Sequence, residues 1–129
     1  MTNRTTIALY VDHDLDQRIL VAAILEARGF SVRTAKSALN ALELVSTEGF
    51  DVVIIYYKLP DMTGSQLAEE IRAVEPSVRI ILLSGRPRLP AGELAYVDVH
   101  IVNRSLLDTA IKTIGDLLQF PNLTPEPAT

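Results

Sequence analysis

Short apolar runs rich in β-branched residues alternate along this chain with stretches whose apolar positions recur at helical spacing. The runs are IALYV (7–11), FSVRT (30–34), VVIIY (52–56), VRIILL (78–83) and VDVHIV (97–102). Two central runs are apolar at successive positions rather than alternating, the pattern of parallel strands covered by helices on both faces. After the first run, Asp14 with Gln17 three residues on reads as an N-cap pair. Val21, Ile24, Leu25 and Arg28 follow at i, i+3, i+4 and i+7, and Gly29 stops the helix. Ser37 opens a second helix with Ala38, Ala41, Leu42 and Val45 on one face, ending near Gly49. A third follows Gly64 and carries Leu67, Ala68 and Ile71 ahead of Pro76. A last one starts at Ser105 with Leu107, Ile111, Ile114 and Leu118. Five βα units of this length predict an α/β fold with an open, doubly wound parallel sheet.

Composition narrows the class. The chain has 129 residues, 48% hydrophobic and 22% charged, enough for one domain with a real core. The domain is expected over residues 1–118, with 119–129, QFPNLTPEPAT, as a Pro-rich tail or linker. The absence of cysteine removes disulfides, thiolate chemistry and the best zinc ligands. A net charge of −4 argues against generic nucleic-acid binding. No apolar run is long enough to span a bilayer and the N-terminus has no signal-peptide layout, so a cytoplasmic location is expected, with neither membrane nor nucleic acid as partner.

The most informative stretch is DVVIIYYKLPDMTG (51–64), a strand that ends in two tyrosines and turns over Leu-Pro and a glycine. In α/β proteins such a strand end is where the chemistry sits. Together with YVDHD (10–14) and IILLSG (80–85), it makes the chain resemble the receiver domain of response regulators over about residues 5–118. The resemblance implies a flavodoxin-like (βα)5 sheet of strand order 2-1-3-4-5. It also implies phosphoryl transfer from a histidine kinase to an aspartate at the end of the third strand. That aspartate is nucleophile and Mg²⁺ ligand at once. An acidic pair after the first strand completes the metal site, while a hydroxyl after the fourth and a lysine after the fifth receive the phosphoryl oxygens.

Carried over residue by residue, the pattern is broken. Asp12 matches the first acid, but His13 stands at the second; Tyr56 stands at the phospho-acceptor; Ser84 matches the hydroxyl; Asn103 replaces the lysine and Arg104 the proline after it. A phenol with a pKa of about 10 is neutral at pH 7 and offers Mg²⁺ no anionic oxygen. Imidazole nitrogen suits zinc or nickel better than magnesium. Two negative groups and one positive group have gone together, as in a repacked pocket rather than a single accident. The expected reading is therefore a non-phosphorylatable receiver. It would be no enzyme and hold no cofactor, with Mg²⁺ binding weak or absent. It would act as a protein-interaction module in two-component signalling, with a regulatory protein or a second copy as partner.

Other readings attach to particular residues. Tyr56 is expected to pack with its hydroxyl on Asp12 or Ser84 rather than to be a phosphotyrosine site. His13, Asp12, Asp14 and Asp61 form a candidate metal set, although Asp14 is better explained as a helix cap. Asp61 is also a candidate alternative phospho-acceptor, provided that its loop swings inward. Lys58, Arg86, Arg88 and Arg104 lie on loops at one sheet edge and form a candidate anion-binding rim, the basis of an alternative function as a sensor of small anions or nucleotides. Pro87 and Pro90 predict that the fourth helix is short or irregular. Tyr96-Val97 stands where the family keeps a small step, and His100 where it keeps a switching aromatic, which makes Tyr96 and His100 the expected partner face.

Overall fold

In the computed structural model, which describes residues 5–102 and 112, each of the five apolar runs becomes a strand. The strands are β1 (Ile7–Val11), β2 (Ser31–Ala35), β3 (Val52–Tyr56), β4 (Arg79–Ser84) and β5 (Val99–Val102). All neighbours pair in parallel in the order β2-β1-β3-β4-β5, the expected arrangement. Three helices join them: α1 (Leu15–Ala27), α2 (Ala38–Thr47) and α3 (Gly64–Val74). The expected last helix from Ser105 and the tail at 119–129 lie outside the described residues. Among those described, no helix is long and apolar enough to cross a membrane.

Period-two alternation divides the core. Leu9, Val11, Val53, Ile55, Ile80 and Leu82 point to the face covered by α2 and α3, where they meet Ala41, Val45, Leu67 and Ile71. Ala8, Tyr10, Val52, Ile54, Ile81 and Leu83 point to the opposite face, against Val21 and Leu25 of α1. Both faces of β1, β3 and β4 are therefore dry, which accounts for their unbroken apolar runs.

Local signals fix the helix ends. The side chain of Asp14 accepts from Gln17 N at 3.1 Å, and Gly29, at φ +96°, lets the chain leave α1. Thr63, which the sequence reading passed over, caps α3 in a reciprocal box with Gln66. At α2, Ser37 Oγ accepts from Asn40 N as expected, but the two N–H groups before it go elsewhere. Ala38 N donates to Asp61 Oδ1 at 3.0 Å and Leu39 N to Asp61 Oδ2 at 2.9 Å. A carboxylate from the β3–α3 loop thus completes the cap of a helix that precedes it by more than twenty residues.

The fourth helix is reduced to a chain of turns. Glu93 N donates to Pro90 O, Ala95 N to Gly92 O and Val97 N to Leu94 O, each across three residues. Arg72 on α3 anchors this segment. Its guanidinium donates to the carbonyls of Pro76, Val78 and Tyr96 and to Asp98 Oδ2, and that same oxygen accepts from Ile80 N at 2.8 Å.

Candidate functional site

The C-terminal ends of β1, β3 and β4 bring Asp12, Tyr56 and Ser84 to one edge of the sheet. Asn103 and Arg104 lie outside the described residues. Asp12 is fully buried at the end of β1. Its Oδ2 accepts the phenol O–H of Tyr10 at 2.6 Å, and its Oδ1 accepts Asp14 N at 3.0 Å. Tyr10, which the sequence pattern did not single out, sits two residues before Asp12 and faces the same side, so its phenol reaches the carboxylate. That spacing was the available signal. His13 is largely exposed, with Nδ1 3.8 Å from Asp12 Oδ1.

Tyr56 is half-buried and packs its ring against the cluster on the α1 face. Ser84, the other partner expected for it, is engaged across the sheet. Its hydroxyl donates to Arg86 O at 2.8 Å, and His100 Nε2 lies 2.7 Å from the same oxygen. Burial pushes the His100 pKa below its ordinary 6.5. The ring of His100 is thus bonded to a buried serine, and of the expected partner face only Tyr96, 42% exposed beside Leu94 at 41%, lies open.

The candidate metal set does not assemble. Asp14 is occupied at the N-terminus of α1 and Asp61 at that of α2. Among the described residues, no three His, Asp or Glu side chains converge to hold an ion. Burial alone would raise the Asp61 pKa. The N–H groups of Leu39, Ala38, Asp61 itself and Met62 outweigh it and hold the carboxyl below its usual range. The inward swing that the reading of Asp61 as an alternative acceptor requires would forfeit those bonds.

Of the expected basic rim, the fold brings two members together. Lys58 and Arg86, with Tyr56, Tyr57, Ser84 and Gly85, line a cleft of about 230 Å³ between the ends of β3 and β4. Arg88 is exposed on the following loop and is not among the lining residues. Tyr57 donates its O–H to Glu93 Oε1 at 2.9 Å and so ties the β3–α3 loop to the turns that replace the fourth helix. Burial first, then the bond to Glu93 and its charge, push the Tyr57 pKa up, against a smaller opposing effect of Arg86.

Comparison with known proteins agrees with this geometry. Residues 8–111 match the sequence profile of the Response regulator receiver domain. The chain is 28% identical to the transcriptional regulatory protein ZraR of Escherichia coli over 123 residues, covering 95% of this chain and 26% of ZraR. It spans only about a quarter of that relative. It is also 28% identical to sporulation initiation phosphotransferase F of Bacillus subtilis over 112 residues, 87% of this chain and 77% of that protein. Among solved structures, the response regulator TrrA of Thermotoga maritima, determined with Mg²⁺-BeF, superimposes with a TM-score of 0.82 at 24% identity. The match covers 88% of this chain and 99% of TrrA. A match with a TM-score of 0.81 at 26% identity, covering 88% and 99% of the two chains, comes from the structure of histidine kinase ThkA in complex with TrrA.

Proposed function

This chain belongs to the response-regulator receiver family, and we propose that it is a member that no longer accepts a phosphoryl group and acts as a protein-interaction module. One observation carries the reading: the end of β3, where the family's chemistry needs a carboxylate, presents the half-buried phenol of Tyr56. A neutral phenol is neither the anionic nucleophile nor the metal ligand that phosphoryl transfer requires. The remaining acid supports the same reading, because both oxygens of Asp12 accept hydrogen bonds from within its own strand and loop. One such carboxylate, an imidazole and a phenol are a poor match to the oxygen-rich shell of Mg²⁺. On this reading the chain is no enzyme and needs no metal cofactor.

Its state is then set by binding, in the cytoplasm, to a protein of a two-component pathway. The TrrA–ThkA complex is a precedent for a partner of that kind. Surfaces that fit such a partner are the exposed Leu94 and Tyr96 on the turn segment, and Leu15, Ile19 and Leu20 on α1. The test is incubation with acetyl phosphate and Mg²⁺ followed by intact-mass measurement. No phosphoryl adduct is expected; a stoichiometric one overturns the reading.

A further inference from the structure

Helix α1 is apolar on two sides. Val21 and Leu25 are buried against the sheet, while Leu15, Ile19 and Leu20 turn outward at 58%, 60% and 51% exposure. A helix that is hydrophobic all round is normally a covered one. Along the outer face, side-chain size runs one way. Leu15 and Ile19 are followed at the same four-residue spacing by Ala23 and Ala27, both exposed. The N-terminal half of this stripe is therefore bulky and the C-terminal half nearly flat. Charge is ordered too. Asp16 and Arg28 each follow a member of the stripe and share one flank, whereas Arg18 and Glu26 each precede one and share the other. Each flank thus carries opposite charges at its two ends.

Both orderings are complementary to themselves when reversed. We infer that the outer face of α1 is a self-association surface, on which a second copy of this chain lays its own α1 antiparallel about a two-fold axis. That axis sets the bulky half of each stripe against the flat half of the other. Leu15 then meets Ala27 of the second copy and Ile19 its Ala23, as knobs fill holes. The same axis brings like flanks together in reverse order, so Asp16 faces Arg28 of the second copy and Arg18 its Glu26. A parallel pair would stack bulk on bulk at one end and hold the alanine ends apart. Arg18 is already fixed by a 2.8 Å bond from NH1 to Asp12 O, so its side chain is ordered before association. Thirteen residues make a helix about 20 Å long, which is short for an interface of standard size. The dimer is accordingly expected to be weak and to form as concentration rises. It gives the interaction-module reading a named partner and rests on that reading only for its role. An acetyl phosphate adduct would end that reading and leave the dimer, whereas a monomer at every concentration would end the dimer alone.

The experiment is sedimentation velocity of the full chain from low micromolar to millimolar concentration. A reversible shift from monomer toward dimer is expected. Ile19→Glu, at an exposed position, should raise the dissociation constant about tenfold or more. Asp16→Lys and Arg28→Glu should each weaken association, and the two together should recover it, because the exchanged charges again face each other. Every variant is checked for fold by circular dichroism. A chain that stays monomeric throughout, a dimer indifferent to Ile19→Glu, or a double exchange that recovers nothing would each overturn the assignment.

Discussion

Tyr10 and Asp12, two residues apart on β1 and both fully buried, are joined by a 2.6 Å bond from the phenol to the carboxylate. The acid that would have helped hold Mg²⁺ is thereby an internal acceptor of the fold. In Tyr10→Phe a buried carboxylate oxygen loses this donor, which should cost about 1–3 kcal/mol. Chemical denaturation measures it, and an unchanged midpoint would show that the bond contributes nothing net.

Restoring the acceptor alone should not restore phosphorylation. Tyr56→Asp adds one carboxylate to a site whose neighbouring acid already has internal donors. Little Mg²⁺ binding and at most slow labelling by acetyl phosphate are expected. Adding His13→Asp and Asn103→Lys should raise both non-additively, because the three groups act on one ion and one phosphoryl group. Equal labelling of the single and triple variants would refute the charge-balance account of the pocket.

Asp61→Asn should destabilise the fold by about 1 kcal/mol, since it weakens the acceptors for Ala38 N and Leu39 N at the start of α2. The folded pKa of Asp61 lies below its ordinary 3.8, so its contribution is fully present above that value and is lost as pH falls through the lower folded one. Acid unfolding of the variant should accordingly be less steep below about pH 4. Parallel acid titrations of the two proteins would sink the prediction.

His100 gives a second pH dependence, in a different window. Its folded pKa is below 6.5, so the unfolded chain takes up a proton at higher pH than the folded chain does. The stability that comes from a neutral ring is present above 6.5 and is lost as pH falls through the folded value. His100→Phe should flatten the decline in Tm between about pH 7 and pH 5. The same slope in both proteins would place its origin elsewhere.

Gly64 is tied to its place by contact. A Cβ there would come within 2.8 Å of Leu82 Cδ1 and 2.9 Å of both Ile55 Cγ2 and Tyr56 O, in the first turn of α3. Gly64→Ala should cost about 1–3 kcal/mol through overpacking, read as a lowered Tm. A neutral result would mean that the α3 N-terminus moves away from the sheet without penalty.

What the sequence determined by itself was whatever is encoded within a few residues. The apolar runs placed the strands to within one or two positions, and Asp14, Ser37 and Gly29 marked helix ends through bonds to their own neighbours. Tyr56 at the end of β3 and the loss of the fourth helix were legible for the same reason, since strand patterning and paired prolines act locally.

Only the tertiary structure decided which buried or half-buried polar groups meet. Asp61 caps a helix distant in sequence, Arg72 ties α3 to Asp98 before β5, and His100 reaches Ser84 because β5 lies beside β4. Each pairing follows from which strands and loops are neighbours in space. A polar side chain leaving water takes whichever donor or acceptor the packed chain puts within about 3 Å, and its place in the sequence does not name that partner. The same holds for Lys58 and Arg86. As isolated residues they read as solvated loop charge, and only the parallel pairing of β3 with β4 brings both to the lining of one cleft.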